Sequence, residues 1–369
     1  MILPFYIARR FLRSLLLIAG VFGLILFLIE MIETIRRFSG SGLGLGGAAQ
    51  LSLLSIAGAF YQILPLVTVL AGIALFLGLA RTSELVAIRA AGQSALRLLR
   101  APLATAIIVG AVAVAVLNPF VAATSRLYDD TAARIERGGQ QTVSVGDSAV
   151  WLRQGLSDNG QDSGQIVIRA GRASPDATTL YDATFLIYES GSGLTRRIEA
   201  QSAVLAPGAW HLSGVRDYRL DSQNPQADVQ AQETLSLPSD LTAQRIRDGF
   251  GRPDAVGIWQ LPDFIAGLER AGFSAARHRV WLQMELARPF LMAAMVAIAA
   301  AFTMQHVRGR NSGIAVLLAF EAGIGLFFLR NLAQVLGDSG QVAPWIAGWA
   351  PPAVGAALAL AVILQKEDG

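Results

Sequence analysis

Ionisable residues inside long apolar runs are the positions at which this sequence could do chemistry. A charge well inside a bilayer costs about 2.5–3.5 kcal/mol even on insertion scales, so it persists where it pairs, lines a wet cavity or stands at headgroup level. Glu30, Glu33, Arg36 and Arg37 close the first such run, and the spacing 30, 33, 37 puts two acids and one base on one helical face. Glu285 and Arg288 lie in the first turns of the fourth run, Glu321 lies inside the fifth and Arg330 near its end. The chemistry open to such groups is ion pairing, guanidinium contact with phosphate, or a divalent cation bridging acid to phosphate. Hydrolysis within the membrane by Glu285 or Glu321 is the enzymatic alternative. Asp129 and Asp130 read as a solvated helix face in preference to a metal pair. The histidines His211, His278 and His306 are scattered, so no metal site is expected from them. The chain has no cysteine, which excludes disulfides and thiolate chemistry. Lys366 is the only lysine, which excludes a P-loop, and neither HExxH nor GxSxG occurs.

The elements that must carry these residues follow from hydropathy. Of the 369 residues, 53% are hydrophobic and only 15% charged, the composition of a membrane protein. Apolar runs at 14–29 (helical in pattern to about 35), 51–79, 103–121, 281–304, 313–336 and 345–364 predict membrane spans. The first is read as a retained span, because it is long for a signal peptide and no A-x-A site closes it. Pro65 predicts a kink in the second. Between the third and fourth runs the texture changes. Residues 128–137 read as a helix, and alternating segments at 142–152, 165–169, 183–188, 195–205, 210–220 and 227–237 predict an antiparallel all-β domain. Helical pattern returns at Leu261, with Pro262-Asp263 opening it.

The expected fold is therefore a membrane α-helical bundle of six transmembrane helices with an inserted all-β domain. The boundaries are 1–122 for spans one to three, 123–279 for the β-domain and 280–369 for spans four to six. Six spans put Arg9, Arg10, Arg13, Arg81, Arg89, Arg97, Arg100, Arg308, Arg310 and Lys366 on one side. The positive-inside rule makes that side cytoplasmic, with both termini, and sets the β-domain outside.

One stretch stands apart, ARTSELVAIRAAGQSALRLLR at 80–100, a basic island between two uncharged runs. It predicts a short helix capped by Ser83, with Glu84 in its first turn and Gly92 closing it. Leu85, Ile88 and Ala91 share one face. Such a helix at a membrane surface is either a docking element or a connector whose arginines hold topology.

Within it, R-T-S-E-L-V-A-I-R-A-A-G at 81–92 resembles the S-E-L-V signature of the LptF/LptG family of lipopolysaccharide-export permeases. Ile88 stands where that family often has Met or Leu. The resemblance extends over the whole chain through its arrangement of three spans, a β-domain of this size and three more spans. The ending A-P-W-I-A-G-W-A-P-P at 343–352 resembles the LptG side more than the LptF side. The resemblance implies a β-jellyroll-like periplasmic domain and a subunit of an ABC transporter in the bacterial inner membrane. That subunit would extract lipopolysaccharide and pass it to a periplasmic bridge. It implies a sister permease of LptF or LptG type, a cytoplasmic LptB-type ATPase dimer, and LptC- and LptA-type transfer proteins as partners. ATP and Mg would bind the ATPase, and this chain would hold no cofactor and no metal. Arg81, Ser83, Glu84, Leu85, Ile88, Arg89 and Gly92 would form the coupling helix at 83–91, with Glu84 its main polar contact. Spans one and five would line the lipid cavity. Glu30, Glu33, Arg36, Arg37, Arg126, Arg134, Glu321 and Arg330 are the candidate headgroup and cavity residues, with the two acids before Arg36 departing from the basic pattern of the family. A reading of another class is a membrane anchor or receptor whose β-domain binds a protein without transport.

Overall fold

The computed structural model describes residues 2–38, 44–90, 94–137, 143–146, 149–158, 161–174, 178–189, 193–220, 229–239, 241–242, 246, 252–270, 274–304 and 312–367. The chain divides into two compact units. The first holds Met1–Glu136, Asp254–Trp259 and Ala276–Gly369, the second Arg137–Pro253 and Gln260–Ala275.

The first unit is helical. Its elements are α1 (Ile2–Arg37), α2 (Leu45–Arg81), α3 (Glu84–Ala90), α4 (Ala95–Val112), a π-helical segment (Ala113–Leu117), α5 (Asn118–Arg137), α7 (Ala276–Thr303), α8 (Ser312–Asp338) and α9 (Pro344–Glu367). Six helices among the described residues are long and apolar enough to cross a membrane. They exceed the sequence expectation in length. At 36 residues α1 is about 54 Å long against a hydrocarbon core of about 30 Å. The basic stretch before Ser14 and the charged residues up to Arg37 are thus both part of the helix. The third span is not confined to 103–121. It starts at Ala95, with Ser94 Oγ accepting the N–H of Arg97 at 3.2 Å, and runs through the π segment into α5. The helix expected separately at 128–137 is the continuation of that span, because nothing after Pro119 breaks it: a proline is tolerated in the first turn of a helix.

The bundle is held by close backbone approach. A Cβ added at Gly110 would meet Pro289 Cα at 2.5 Å, and one at Gly72 would meet Ala299 Cβ at 2.8 Å. Small residues at such crossings let membrane helices pack where no hydrophobic force separates lipid from Leu. Val67, Phe76, Met292, Met295, Val296 and Ala299 fill the core between α2 and α7. An apolar groove of about 500 Å³ is lined by residues of α4, α7 and α9, including Leu103, Phe290, Ala297, Trp349 and Leu360, and by none of α1 or α8.

The second unit is a seven-stranded antiparallel sheet in sequential order, with α6 (Leu261–Arg270) following it. The strands are β1 (Val143–Gly146), β2 (Ala149–Asp158), β3 (Gln161–Ala173), β4 (Thr179–Glu189), β5 (Gly193–Ala206), β6 (Ala209–Arg219) and β7 (Gln230–Pro238). The segment expected as one strand at 142–152 is two, β1 folding back on β2 with Val145 opposite Val150. A line of irregularities crosses the sheet. Pairing skips Gly171 and Asp182, then Gln201, then Gly214 and Glu233. The register is the same on either side of each skip, but the in–out alternation of burial changes there, so Ile168 and Ala173, Phe185 and Leu180, Ala200 and Ala203, and Val215 and Leu212 are all buried. Asp182 at φ 53° and Gly214 at φ 64° take left-handed backbone at two of these unpaired positions, while the register itself shifts at Leu156/Ser157 and at Ile187/Tyr188. The result is a bent meander packed around Phe185 and Trp210, whose rings meet edge-on at 6.1 Å. Asp217 is buried within it and bonded twice by Arg196, whose Nε donates to Oδ1 at 2.8 Å. The carboxylate raises the Arg196 pKa, chiefly by hydrogen bonding, against the opposing effect of burial.

Candidate functional site

Two constellations in the helical unit gather the ionisable residues. The first fastens α3. Residues Leu85 and Ile88 are buried in the bundle core, so the apolar face predicted for docking is the face that attaches the helix to its own chain. Its outward face is Val86, Ala87 and Ala90. Ser83 does not take the extended backbone of an N-cap residue. It lies at φ 57°, and its carbonyl accepts the N–H groups of Val86 and Ala87. Glu84 faces back to α1: Arg10 Nη1 donates to Oε1 at 2.7 Å, Tyr6 Oη to Oε2 at 3.0 Å and Thr82 Oγ1 to Oε1 at 2.7 Å. Burial raises the Glu84 pKa, but the bonds from Arg10, Thr82 and Tyr6 outweigh it and hold the carboxyl below its usual value. The side chain remains about a third exposed. Arg81 is exposed beside it. Gly92 and the side chain of Arg89 lie outside the described residues, as do His306, Arg308 and Arg310.

The second constellation is a buried ionic centre whose importance the sequence reading missed. Glu285 and Arg288 on α7 are 0% and 1% exposed. Arg288 Nη2 donates to Glu285 Oε1 at 2.6 Å. Tyr61 on α2 donates its hydroxyl to Oε2, and Asn118 Nδ2 donates to the same oxygen at 3.2 Å. Arg288 also lies 3.9 Å over the Tyr61 ring and donates from Nη1 to the Tyr61 carbonyl at 2.9 Å. In an α-helix that carbonyl would take the N–H of residue 65, which is proline and has none. Arg288 therefore supplies the donor that Pro65 removes. Three elements, α2, α5 and α7, are tied at one point. The i, i+3 spacing of Glu285 and Arg288 and the Tyr61 to Pro65 spacing were the available signals.

The candidate headgroup residues are only partly gathered. Glu30 accepts from Ser55 Oγ at 2.9 Å, so it pairs with a hydroxyl of α2 and, among the described residues, with no arginine. Glu33 takes Arg36 at 2.8 Å, an exposed pair within one helix. Arg37 donates to Tyr128 Oη at 3.3 Å, which ties the end of α1 to α5. Arg126 is exposed and donates from Nε to the Ala122 carbonyl at 3.3 Å. The Arg134 side chain lies outside the described residues. One expectation is corrected. Arg330 is not on a wet face: it is 6% exposed, bonds Asn331 at 3.0 Å and lies in electrostatic reach of Arg288 and Glu285. Its backbone position on α8 sets it inward, which a sequence window cannot resolve. Glu321 is exposed on α8 and has no polar partner among the described residues, so of the two expected placements the pairing inside the bundle is not seen there.

Six membrane-capable helices interrupted by an all-β insertion define a multi-pass membrane protein. The chain matches the family described as lipopolysaccharide export system permease LptF/LptG over residues 5–365, and it belongs to that family. The family is a transporter permease subunit of the inner membrane and not an enzyme. No curated protein is matched by the chain.

Proposed function

We propose that the chain is the permease subunit that extracts lipopolysaccharide from the inner membrane and passes it to a periplasmic bridge, powered by a separate cytoplasmic ATPase. The observation that carries this reading is the family match over residues 5–365, together with α3, which offers Val86, Ala87 and Ala90 outward while Leu85 and Ile88 anchor it. A push on α3 passes directly into the bundle core and, through Glu84 and Arg10, into α1. The most apolar stretches of α1 and α8 are only 6% and 22% buried within the chain, so these helices have faces free for a lipid cavity or a sister permease of LptF or LptG type. The stretch 343–352 favours the LptG-like role. Both termini and α3 lie in the cytoplasm and the β unit in the periplasm, where LptC- and LptA-type proteins take the lipid. ATP and Mg belong to the LptB-type partner.

The test is a reconstituted complex of this chain with its sister permease and ATPase. Glu84→Ala and Gly92→Pro should abolish lipid release while the chain still inserts. Full substrate-stimulated ATP hydrolysis and export in both variants would overturn the reading.

A further inference from the structure

The chain leaves the β unit at Pro253, makes one short excursion into the helical unit over Asp254–Trp259, and returns to the β unit at Gln260. This stitch is fixed at two points next to each other in sequence. The Ile258 N–H donates to Asn118 Oδ1 at 2.8 Å, and Trp259 Nε1 donates to the Ala115 carbonyl at 3.1 Å. Both acceptors sit on the π segment or at its end. The Ala115 carbonyl is the one whose α-helical donor would be the N–H of residue 119, and residue 119 is proline. Within the π segment the bonds run i→i+5, as from the Asn118 N–H to the Ala113 carbonyl, and Trp259 adds an indole donor to the Ala115 carbonyl. Trp259 is otherwise 70% exposed, so its contribution is this bond and not core packing. Gly257 lies against Pro119, where an added Cβ would meet the proline Cα at 3.6 Å.

Asn118 is 1% exposed and uses both ends of its amide: Oδ1 holds the stitch, and Nδ2 holds Glu285 in the buried centre. Asp at this position would have no donor for the carboxylate, and Ser would not span the two groups. One side chain thus joins the ionic centre of α2 and α7 to a segment whose two covalent neighbours belong to the β unit. A π segment is a local register change that helices use where they must shift, and it is frequent at functional sites.

We propose that the stitch transmits movement of the membrane helices to the β unit, with Asn118 as the positioning residue at the junction. The proposal rests on the lipid-export reading for its cargo, but the junction itself is testable without cargo. A shift of α5 relative to α7 displaces the Ala115 carbonyl and the Asn118 amide together, and the stitch carries that displacement into the chain on either side.

The experiment uses the complete complex in nanodiscs containing lipopolysaccharide. Trp259→Phe removes one N–H and keeps the ring; Asn118→Leu removes both amide bonds. The expected result is ATP turnover within about twofold of the parent in Trp259→Phe, with lipid delivery to a periplasmic acceptor lower by about fivefold, the worth of one hydrogen bond. A merely structural role would lower both rates together. Amide exchange over 254–259 is the second readout: Ile258 should be protected in the parent, lose protection in Asn118→Leu, and change protection when the motor is trapped with a nucleotide analogue. Equal delivery in parent and Trp259→Phe, or exchange at Ile258 that is the same in both nucleotide states, overturns the proposal. A parent complex that hydrolyses ATP and moves no lipid counts against the export reading, while the exchange result still decides the stitch.

Discussion

Arg288 donates to the carbonyl of Tyr61, the one carbonyl of α2 that Pro65 leaves without its helical donor. The same guanidinium neutralises Glu285, so one side chain repairs a backbone defect and balances a buried charge. Removing it should leave both uncompensated. Arg288→Met is expected to destabilise the helical unit by about 3–5 kcal/mol, the cost of orphaning a buried partner. Adding Glu285→Gln should recover most of that loss. Adding Pro65→Ala instead should recover only about 0.6–1 kcal/mol, the worth of one hydrogen bond in a bundle. Thermal unfolding of the three variants in nanodiscs checks the ranking.

Glycine substitutions separate contact from propensity. Alanine is the better helix former by about 0.5–1 kcal/mol. Gly23→Ala meets nothing within 4 Å in the chain and should be neutral or mildly stabilising. Gly110→Ala would drive a methyl to 2.5 Å from the Pro289 backbone and should lower the unfolding temperature by forcing α4 off α7.

The bond between α1 and α3 is pH-dependent in a defined direction. Glu84 is held below the usual carboxyl value of 4.5 by its three donors, against the effect of burial. A depressed folded-state pKa contributes stability that is complete above the unfolded value and is lost as pH falls through the lower folded value. The tie should therefore be intact at neutral pH and release only under acid conditions below 4.5. Arg10→Gln should move the titration upward. Difference infrared spectroscopy of the carboxyl stretch, with Glu84→Gln as the blank, reads it directly.

In the β unit, Arg196→Ala leaves Asp217 buried without its bidentate partner. A loss of about 3–5 kcal/mol in β-unit stability is expected, measured by exchange protection of β5 and β6. Arg197→Ala removes an exposed partner of Glu199 and should cost about 0.2–1 kcal/mol.

The broad architecture was legible because its signals are repetitive. Long uncharged runs announce spans, and alternation between turn clusters announces strands. The first predicted strand is two, β1 and β2: Gly146-Asp147-Ser148 inside 142–152 is a turn signal that a reading by alternation alone passes over. The identity of the surface helix was legible from S-E-L-V, but its orientation was not: Leu85 and Ile88 mark an apolar face without saying whether it meets a partner or the chain itself. Glu285 was visible as a charge in a span, yet its three donors come from residues as far away as Tyr61 and Asn118, which only the packed bundle brings together. Arg330 misled for a related reason. Its place near a span end fits a headgroup residue equally well as a buried one, and the choice depends on the rotation of α8.

The central claim is that a motor made by another chain acts on α3. The most direct measurement is purification of the full-length chain from its native membrane in mild detergent, with every co-purifying chain and lipid identified, beside Val86→Asp on the outward face of α3. The account predicts that the parent brings a cytoplasmic ATPase, a sister permease and lipopolysaccharide, and that Val86→Asp loses the ATPase alone. A parent that brings no ATPase, or a Val86→Asp chain that retains it in full, would contradict the account.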